Sequence, residues 1–185
     1  MAATDSILID IEAKAKFEYL PILGAEKAKF LTRLVGDKKP CRVVEVGLLT
    51  GYATIVLARS LPEGCLVVGL EISEEMAKRT EENVLAAGLA DKVEVLRGDA
   101  RERLGDVRYP VDVVLLDAQR TQYLSYLKKL EPKLSPGAVI VANGAGAFEK
   151  ELRSYLDHVR KSPDYQSSTL IFGDDAMEVS IYKKK

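Results

Sequence analysis

No apolar run in this chain approaches the roughly 18 residues that span a bilayer, so no membrane-crossing helix is expected. The start is mixed and acidic before it turns apolar, which reads as no secretory leader. Both observations point to a cytoplasmic protein. Neither sign of charge is in excess, with 27 Lys and Arg against 28 Asp and Glu, so no electrostatic nucleic-acid footprint is expected. Two cysteines are too few for a disulfide framework. Cys41 lies six residues before Gly47 and Cys65 six before Glu71, so the thiols approach each other only if their strands are level neighbours. Adjacent parallel strands offer poor disulfide geometry, and two free thiols are the expectation. The one histidine, His158, lies in a charged helical stretch far from any strand end and reads as a surface side chain. Asn and Gln are scarce beside Glu, Lys and Arg, a thermophile-like bias. No internal repeat, low-complexity segment or linker interrupts the 185 residues, so they read as one domain with a substantial core.

What is present centres on residues 43–51, VVEVGLLTG. An apolar run that ends in a Gly-rich turn ahead of a helical pattern reads as a buried parallel strand feeding a helix N-terminus. Gly47 permits a sharp turn close to a ligand, and a side chain there is expected to obstruct it. Gly51 opens the helix and leaves its first N–H groups free. A second apolar run, residues 66–70, ends in Glu71, where a carboxylate can accept the ribose hydroxyls of an adenosine. The dinucleotide fingerprint wants Gly-x-Gly-x-x-Gly, and position 49 is Leu. Glu45 would repel a pyrophosphate but suits a cationic ligand. S-adenosylmethionine, with its sulfonium and ammonium, fits these residues better than NAD. An NAD-linked oxidoreductase remains the alternative.

In chain order, Thr4 or Asp5 caps a helix to about residue 19, with Ile7, Leu8, Ile11 and Ala15 inward. A second helix covers residues 25–35 and stops at Gly36. Strands follow at 42–46, 66–72, 93–96, 111–116 and 138–142, with helices at 51–61, 74–87, 122–130 and 148–161. Ser73 caps the second of these, with Met76 facing the core. Residues 168–172 and 177–182 read as an antiparallel hairpin with Val179 and Ile181 buried, followed by a solvated tail at 183–185. Five βα repeats and a hairpin give an α/β, doubly wound, Rossmann-like sheet of seven strands with an antiparallel edge.

The stretch EVGLLTGYATI resembles the first motif of class I methyltransferases, specifically the catechol and caffeoyl-CoA O-methyltransferase family. LGAEKAKFL, GLEIS, LRGDARE, VDVVLLDAQRTQY, GAVIVANGA and FGDDAMEVSIYKK fall in the family's order, so the resemblance covers residues 22–184. It implies a seven-stranded methyltransferase fold in which residues 1–40 form a helical cover or lid. It also implies S-adenosyl-L-methionine as cofactor. Gly47, Leu48 and Tyr52 would wrap the methionine part, Glu45 would serve its ammonium, and Glu71 would hold the ribose. Asp99 and Ala100 would lie along the adenine, with Ile72 against the ring. Gly51 and Asp117 complete the expected cofactor set.

The family activates a hydroxyl with a divalent metal, held by an Asp after strand four and an Asp-Asn pair after strand five. A Lys three residues past the first Asp acts as base. Here Asp117 and Asn143 match, but the middle ligand is Ala142 and the Lys position is Arg120. A guanidinium stays charged near neutral pH and cannot act as a base. Asp117, Arg120 and Asn143 are therefore the expected catalytic residues, with no metal held and magnesium mattering little. Arg120 would take the electrostatic place of the ion, and Asp117 would pair with it, orient the acceptor hydroxyl or take its proton. The expectation is an O-methyltransferase acting on a small molecule. A non-catalytic S-adenosylmethionine or S-adenosylhomocysteine binding protein is the alternative, and a homodimer is left open.

Overall fold

The computed structural model describes residues 3–108 and 110–184. The chain runs α1 (Ala3–Glu18), α2 (Ala25–Lys38), β1 (Arg42–Val46), α3 (Tyr52–Ala58), β2 (Leu66–Glu71), α4 (Glu74–Ala86) and β3 (Val93–Arg97). It continues through α5 (Ala100–Arg103), β4 (Val111–Leu116), α6 (Tyr123–Leu130), β5 (Leu134–Asn143), α7 (Glu149–Lys161), β6 (Tyr165–Phe172) and β7 (Asp175–Tyr182). The strands form a seven-stranded sheet in the order β3-β2-β1-β4-β5-β7-β6. β1 to β5 are parallel, and β7 runs antiparallel between β5 and β6. This is the doubly wound methyltransferase sheet expected from the motif order, with its hairpin on one edge.

Val and Leu make up eight of the eleven residues of β1 and β4 because helices cover both faces of the sheet. On one face Val43, Val113, Val141 and Met177 pack under Leu31, Val35, Ile55 and Val84 of α2, α3 and α4. On the other, Val44, Val114 and Ile140 meet Leu127, Leu130, Tyr155 and Leu156 of α6 and α7. Strand order reverses between β1 and β4, so the crevice beyond their carboxyl ends is where a ligand binds in such a sheet. Among the described residues no helix is long and apolar enough to cross a membrane.

Several expectations need correction. Gly36 does not end α2. The helix runs through it to Lys38, and Lys39 takes the left-handed cap (φ 49°). β5 starts four residues sooner than the apolar run, because a register irregularity opposite Val111–Val113 absorbs Pro136 and Gly137. The short α5 was not foreseen. Met76 is only half-buried, and the buried stripe of α4 is Ala77, Thr80 and Val84. Ile181 is 42% exposed and Val179 half-buried. They share a face with the buried Met177 but lie farther along β7 from its cavity end. His158 is not a free surface residue: its Nε2 bonds Glu131 Oε1 (2.8 Å) and its ring stacks edge-on against Tyr165. Lys183 and Lys184 are exposed, as expected, while Lys185 lies outside the described residues.

The cysteines are paired, not free. β1 and β2 are in register with Arg42 opposite Leu66, so Cys41 and Cys65 stand side by side one residue below the ladder. There the Leu66 N–H still bonds Cys41 O (2.9 Å), and the Cα atoms approach to 4.4 Å, within the range a disulfide spans. The expectation of free thiols fails because the two strands are level here and bring the cysteines side by side at the end of the ladder.

Candidate cofactor and acceptor site

β1 ends at Val46, and Gly47 (φ 91°) starts a turn through Leu48 and Leu49 into α3. Leu49 has φ 52°, a left-handed conformation that costs a branched residue energy and that tertiary contacts must hold. Glu71 supplies those contacts. Its Oε2 accepts from the Leu48 and Leu49 N–H groups (2.9 and 3.0 Å), and its Oε1 accepts from Ser73 N–H (2.9 Å). From α4, the Thr80 hydroxyl donates to Leu49 O (3.1 Å) and Asn83 Nδ2 to Thr50 O (2.9 Å).

The turn borders a cavity of about 720 Å³ beyond the carboxyl ends of β1, β2, β4 and β5. Every residue expected from the sequence to be catalytic or cofactor-binding lines this cavity except Gly51. Gly51 packs on α4 instead, where an added Cβ would come within 2.9 Å of Thr80 Cγ2. Residues 21–23, between α1 and α2, also line the cavity, and the Tyr52 hydroxyl donates to Glu12 Oε1 (2.5 Å), clasping α1 to α3. From the N-terminal forty residues, the cavity is thus bordered by this loop and by Lys27 of α2. Ile72 stands 72% exposed at the rim. Asp99 caps α5 through Arg101 N–H (2.8 Å) and is ion-paired to the Arg101 guanidinium, which holds its carboxyl below the usual range.

Glu45 is the anomaly of the floor. It is 1% exposed, on the same face as Val43 by strand alternation. Thr54 is its polar neighbour, yet neither carboxylate oxygen nor the Thr54 hydroxyl has a hydrogen-bond partner of ordinary geometry among the described residues. Burial pushes the Glu45 carboxyl well up, and nearby Asp117 and Glu71 push it further, against a smaller lowering from Thr54. A buried carboxyl without a partner is costly, and a cation delivered by a ligand satisfies it.

The far end of the cavity holds a chain of polar contacts. Asp117 Oδ1 accepts from Asn143 Nδ2 (2.8 Å), and Asn143 Oδ1 accepts from Lys27 Nζ (2.7 Å). Lys27 Nζ also reaches Asp175 Oδ2 (2.6 Å), whose Oδ1 accepts from Ala147 N–H (2.9 Å). Burial raises the Asp117 carboxyl from its ordinary value, against lowering by Asn143, Lys27 and Arg120. Arg120 does not bond Asp117. Its guanidinium lies 3.5 Å over the Phe148 ring. Sequence reasoning missed Lys27, Asp175 and Phe148. Lys27 carried one overlooked signal: it falls four residues before Leu31 and one before Ala28, on the inward stripe of α2.

A divalent ion does not fit this donor set. Ala142 is fully buried in the apolar layer, and an ammonium sits among the remaining oxygens. Among the described residues no three His, Cys, Asp or Glu side chains gather as a metal site.

The family described as O-methyltransferase matches the chain over residues 6–151. Catechol O-methyltransferase B of Danio rerio is 29% identical over 178 residues, covering 89% of this chain and 67% of that protein. Catechol O-methyltransferase of Mycobacterium tuberculosis is 36% identical over 122 residues, covering 65% of this chain and 56% of that protein. The chain thus spans about half to two thirds of the curated relatives it matches. An O-methyltransferase from Bacillus cereus, solved in complex with SAH, superposes with a TM-score of 0.88 at 26% identity, covering 96% of this chain and 91% of that one.

Proposed function

The chain belongs to the O-methyltransferase family, and from that membership we propose that it transfers a methyl group from S-adenosylmethionine to a hydroxyl of a small molecule. The observation that carries this reading is Glu45, a buried carboxyl without a partner beside a cavity of nucleoside-cofactor size. When bound, the cofactor supplies a methyl group on a sulfonium, and the protein supplies alignment. Glu45 receives the ammonium end. Glu71 already accepts three N–H bonds, and a carboxylate has about four acceptor sites, so one remains for the ribose. At the far end Asp117, Asn143 and Lys27 would hold the acceptor hydroxyl, to which the cofactor would supply its methyl group. The hydroxyl proton passes to Asp117 Oδ2, the oxygen that Asn143 leaves open. Residues 1–185 act as one domain, residues 1–40 serve as its cover, and the protein works in the cytoplasm.

Calorimetric titration with S-adenosylmethionine, S-adenosylhomocysteine and NADH, followed by methyl transfer to a panel of phenols and catechols, tests the reading. Binding of the first two with turnover on a hydroxyl is expected. Tight NADH binding alone would turn the assignment to an oxidoreductase, and cofactor binding without turnover on any acceptor to a binding protein. Glu71→Ala is expected to weaken cofactor binding by about 1.5–3 kcal/mol, since it removes charge-assisted bonds to both ribose and turn. Unchanged affinity sinks the role given to Glu71.

Glu45 yields a pH test. Its folded-state pKa is raised above the ordinary 4.5, so its contribution to stability is present below that value. That contribution is lost as pH rises through the folded pKa. An arriving ammonium favours the charged form, so cofactor binding is expected to release a proton in the window that runs from about pH 4.5 up to the raised folded-state value. Binding heats measured in buffers of different ionisation enthalpy read this directly. Glu45→Gln should abolish the release while leaving the unliganded protein no less stable. A pH-independent binding heat with no proton release contradicts the placement of the ammonium.

A further inference from the structure

We propose that the Lys27 ammonium is the resident cation of the acceptor end, and that it holds the acceptor oxygen in line with the methyl group. This rests on the methyl-transfer reading and deepens it. An ammonium has three donors. Two are spent, on Asn143 Oδ1 (2.7 Å) and Asp175 Oδ2 (2.6 Å). No partner for the third is present among the described residues, and Lys27 lines the cavity. Its side chain is only 12% exposed, and its two partners come from β5 and β7, 116 and 148 residues away in sequence. A lysine on the inward stripe of a helix, drawn between an amide and a carboxylate on the sheet, is not an ordinary surface ion pair.

The surroundings explain why a cation belongs there. Asp117, Asn143 and Asp175 bring two carboxylates and an amide to one end of the cavity, linked into one chain through the lysine. Asp117 is raised by burial, and Lys27 and Arg120 both act to lower it again. Ala142, buried in the opposite apolar layer, leaves the oxygen set one carboxylate short of a cage for a divalent ion. The ammonium supplies the missing positive charge from the protein itself. An acceptor hydroxyl placed against its third N–H gains a charge-assisted hydrogen bond that strengthens as negative charge develops on oxygen. The oxygen then forms the bond to the methyl carbon, the electron pair of the carbon–sulfur bond goes to sulfur, and the hydroxyl proton goes to Asp117. Sequence reasoning gave this electrostatic role to Arg120, but the Arg120 guanidinium is engaged with the Phe148 ring.

The test compares full-length wild type with Lys27→Ala and Lys27→Met, using Mn²⁺ alone followed by electron paramagnetic resonance, and S-adenosylhomocysteine followed by calorimetry. Removing the ammonium leaves two carboxylates and an amide without a counter-charge. Lys27→Ala is therefore expected to bind Mn²⁺ at least about tenfold more tightly than wild type. Homocysteine-cofactor affinity should stay within about threefold in both variants, because Glu45 and Glu71 hold that ligand. With any acceptor that turns over, Lys27→Met should lower kcat by about 100-fold, the scale of losing one donor to a developing oxyanion. The KM for S-adenosylmethionine should hardly move. Equal Mn²⁺ affinity in wild type and Lys27→Ala, or wild-type kcat in Lys27→Met, overturns the proposal. A purely structural tie between α2 and the hairpin would alter thermal stability in both variants without any gain of Mn²⁺ affinity. Failure of wild type to bind S-adenosylhomocysteine would instead sink the methyltransferase reading and leave the Mn²⁺ comparison standing on its own.

Discussion

Replacing Gly47 with valine is expected to abolish cooperative folding. Gly47 sits at φ 91°, where a β-branched residue is an outlier. An added Cβ would overlap the Asp117 carbonyl oxygen, lie 2.8 Å from the Asp117 carbonyl carbon and 3.0 Å from Ala118 Cβ. The first two are backbone atoms. They cannot swing aside, because Asp117 N–H is bonded to Val46 O (2.9 Å) and Gly47 N–H to Leu70 O (2.9 Å). The substitution therefore pries apart β1 and β4 at the centre of the sheet. A cost above about 4 kcal/mol is expected, a large share of the 5–15 kcal/mol by which domains are stable. Gly47→Ala carries the same Cβ and should show most of the loss in urea unfolding. An unchanged midpoint for Gly47→Ala would show that the strands are not in this contact. The sequence suggested that a side chain here would damage cofactor binding through a clash at the turn, and the clash falls on the backbone of Asp117, just past the neighbouring strand. The variant is therefore a probe of the fold and not of cofactor contact.

Replacing both cysteines with serine is expected to remove about 3.5 kcal/mol of stability, by chain-entropy reasoning for a ring closed over a separation of 24 residues. For a chain of this size that is a fall of roughly 7–14 °C in the unfolding midpoint. The ring encloses β1, the glycine turn and α3, which carry Glu45 and Tyr52. The bridge itself lies at the amino edge of the sheet, opposite the cavity, so cofactor affinity below the transition should be unchanged. Scanning calorimetry with and without reductant measures the effect. Two thiols titrating freely in the native, unreduced protein would remove its basis.

The sheet was largely legible because its signals are local. Residues 42–46 and 111–116 are short, β-branched and bounded by turn residues, and the strands occupy those residues. Ser73 and its trailing glutamates announced α4, and the Ser73 hydroxyl does accept from Met76 N–H. The glycine turn with a carboxylate at the end of the next strand marks the cavity in the sequence alone. What escaped depends on contacts between distant residues. Lys27 meets Asn143 and Asp175 only once α2 lies over β5 and β7, and a lysine in a charged helix resembles a solvated face. The Cys41–Cys65 bridge depends on the register of two strands, which composition does not encode. Ile181 looked buried because alternation gives the face of a side chain, but not whether anything covers that end of the face.

The place of β7 bears on how the protein is made. It is the last of the strands to be synthesised, yet it sits inside the sheet, between β5 and β6. While a ribosome is still translating the residues that form it, β5 presents an open edge of Val139, Ile140 and Val141 to the nascent chain's surroundings. The sheet cannot close by adding strands outward in order of emergence. β6 must wait, unpaired, for β7 to arrive and join it to the body. Completion of the sheet therefore waits on the arrival of β7, and this interval is when holding chaperones would matter to yield.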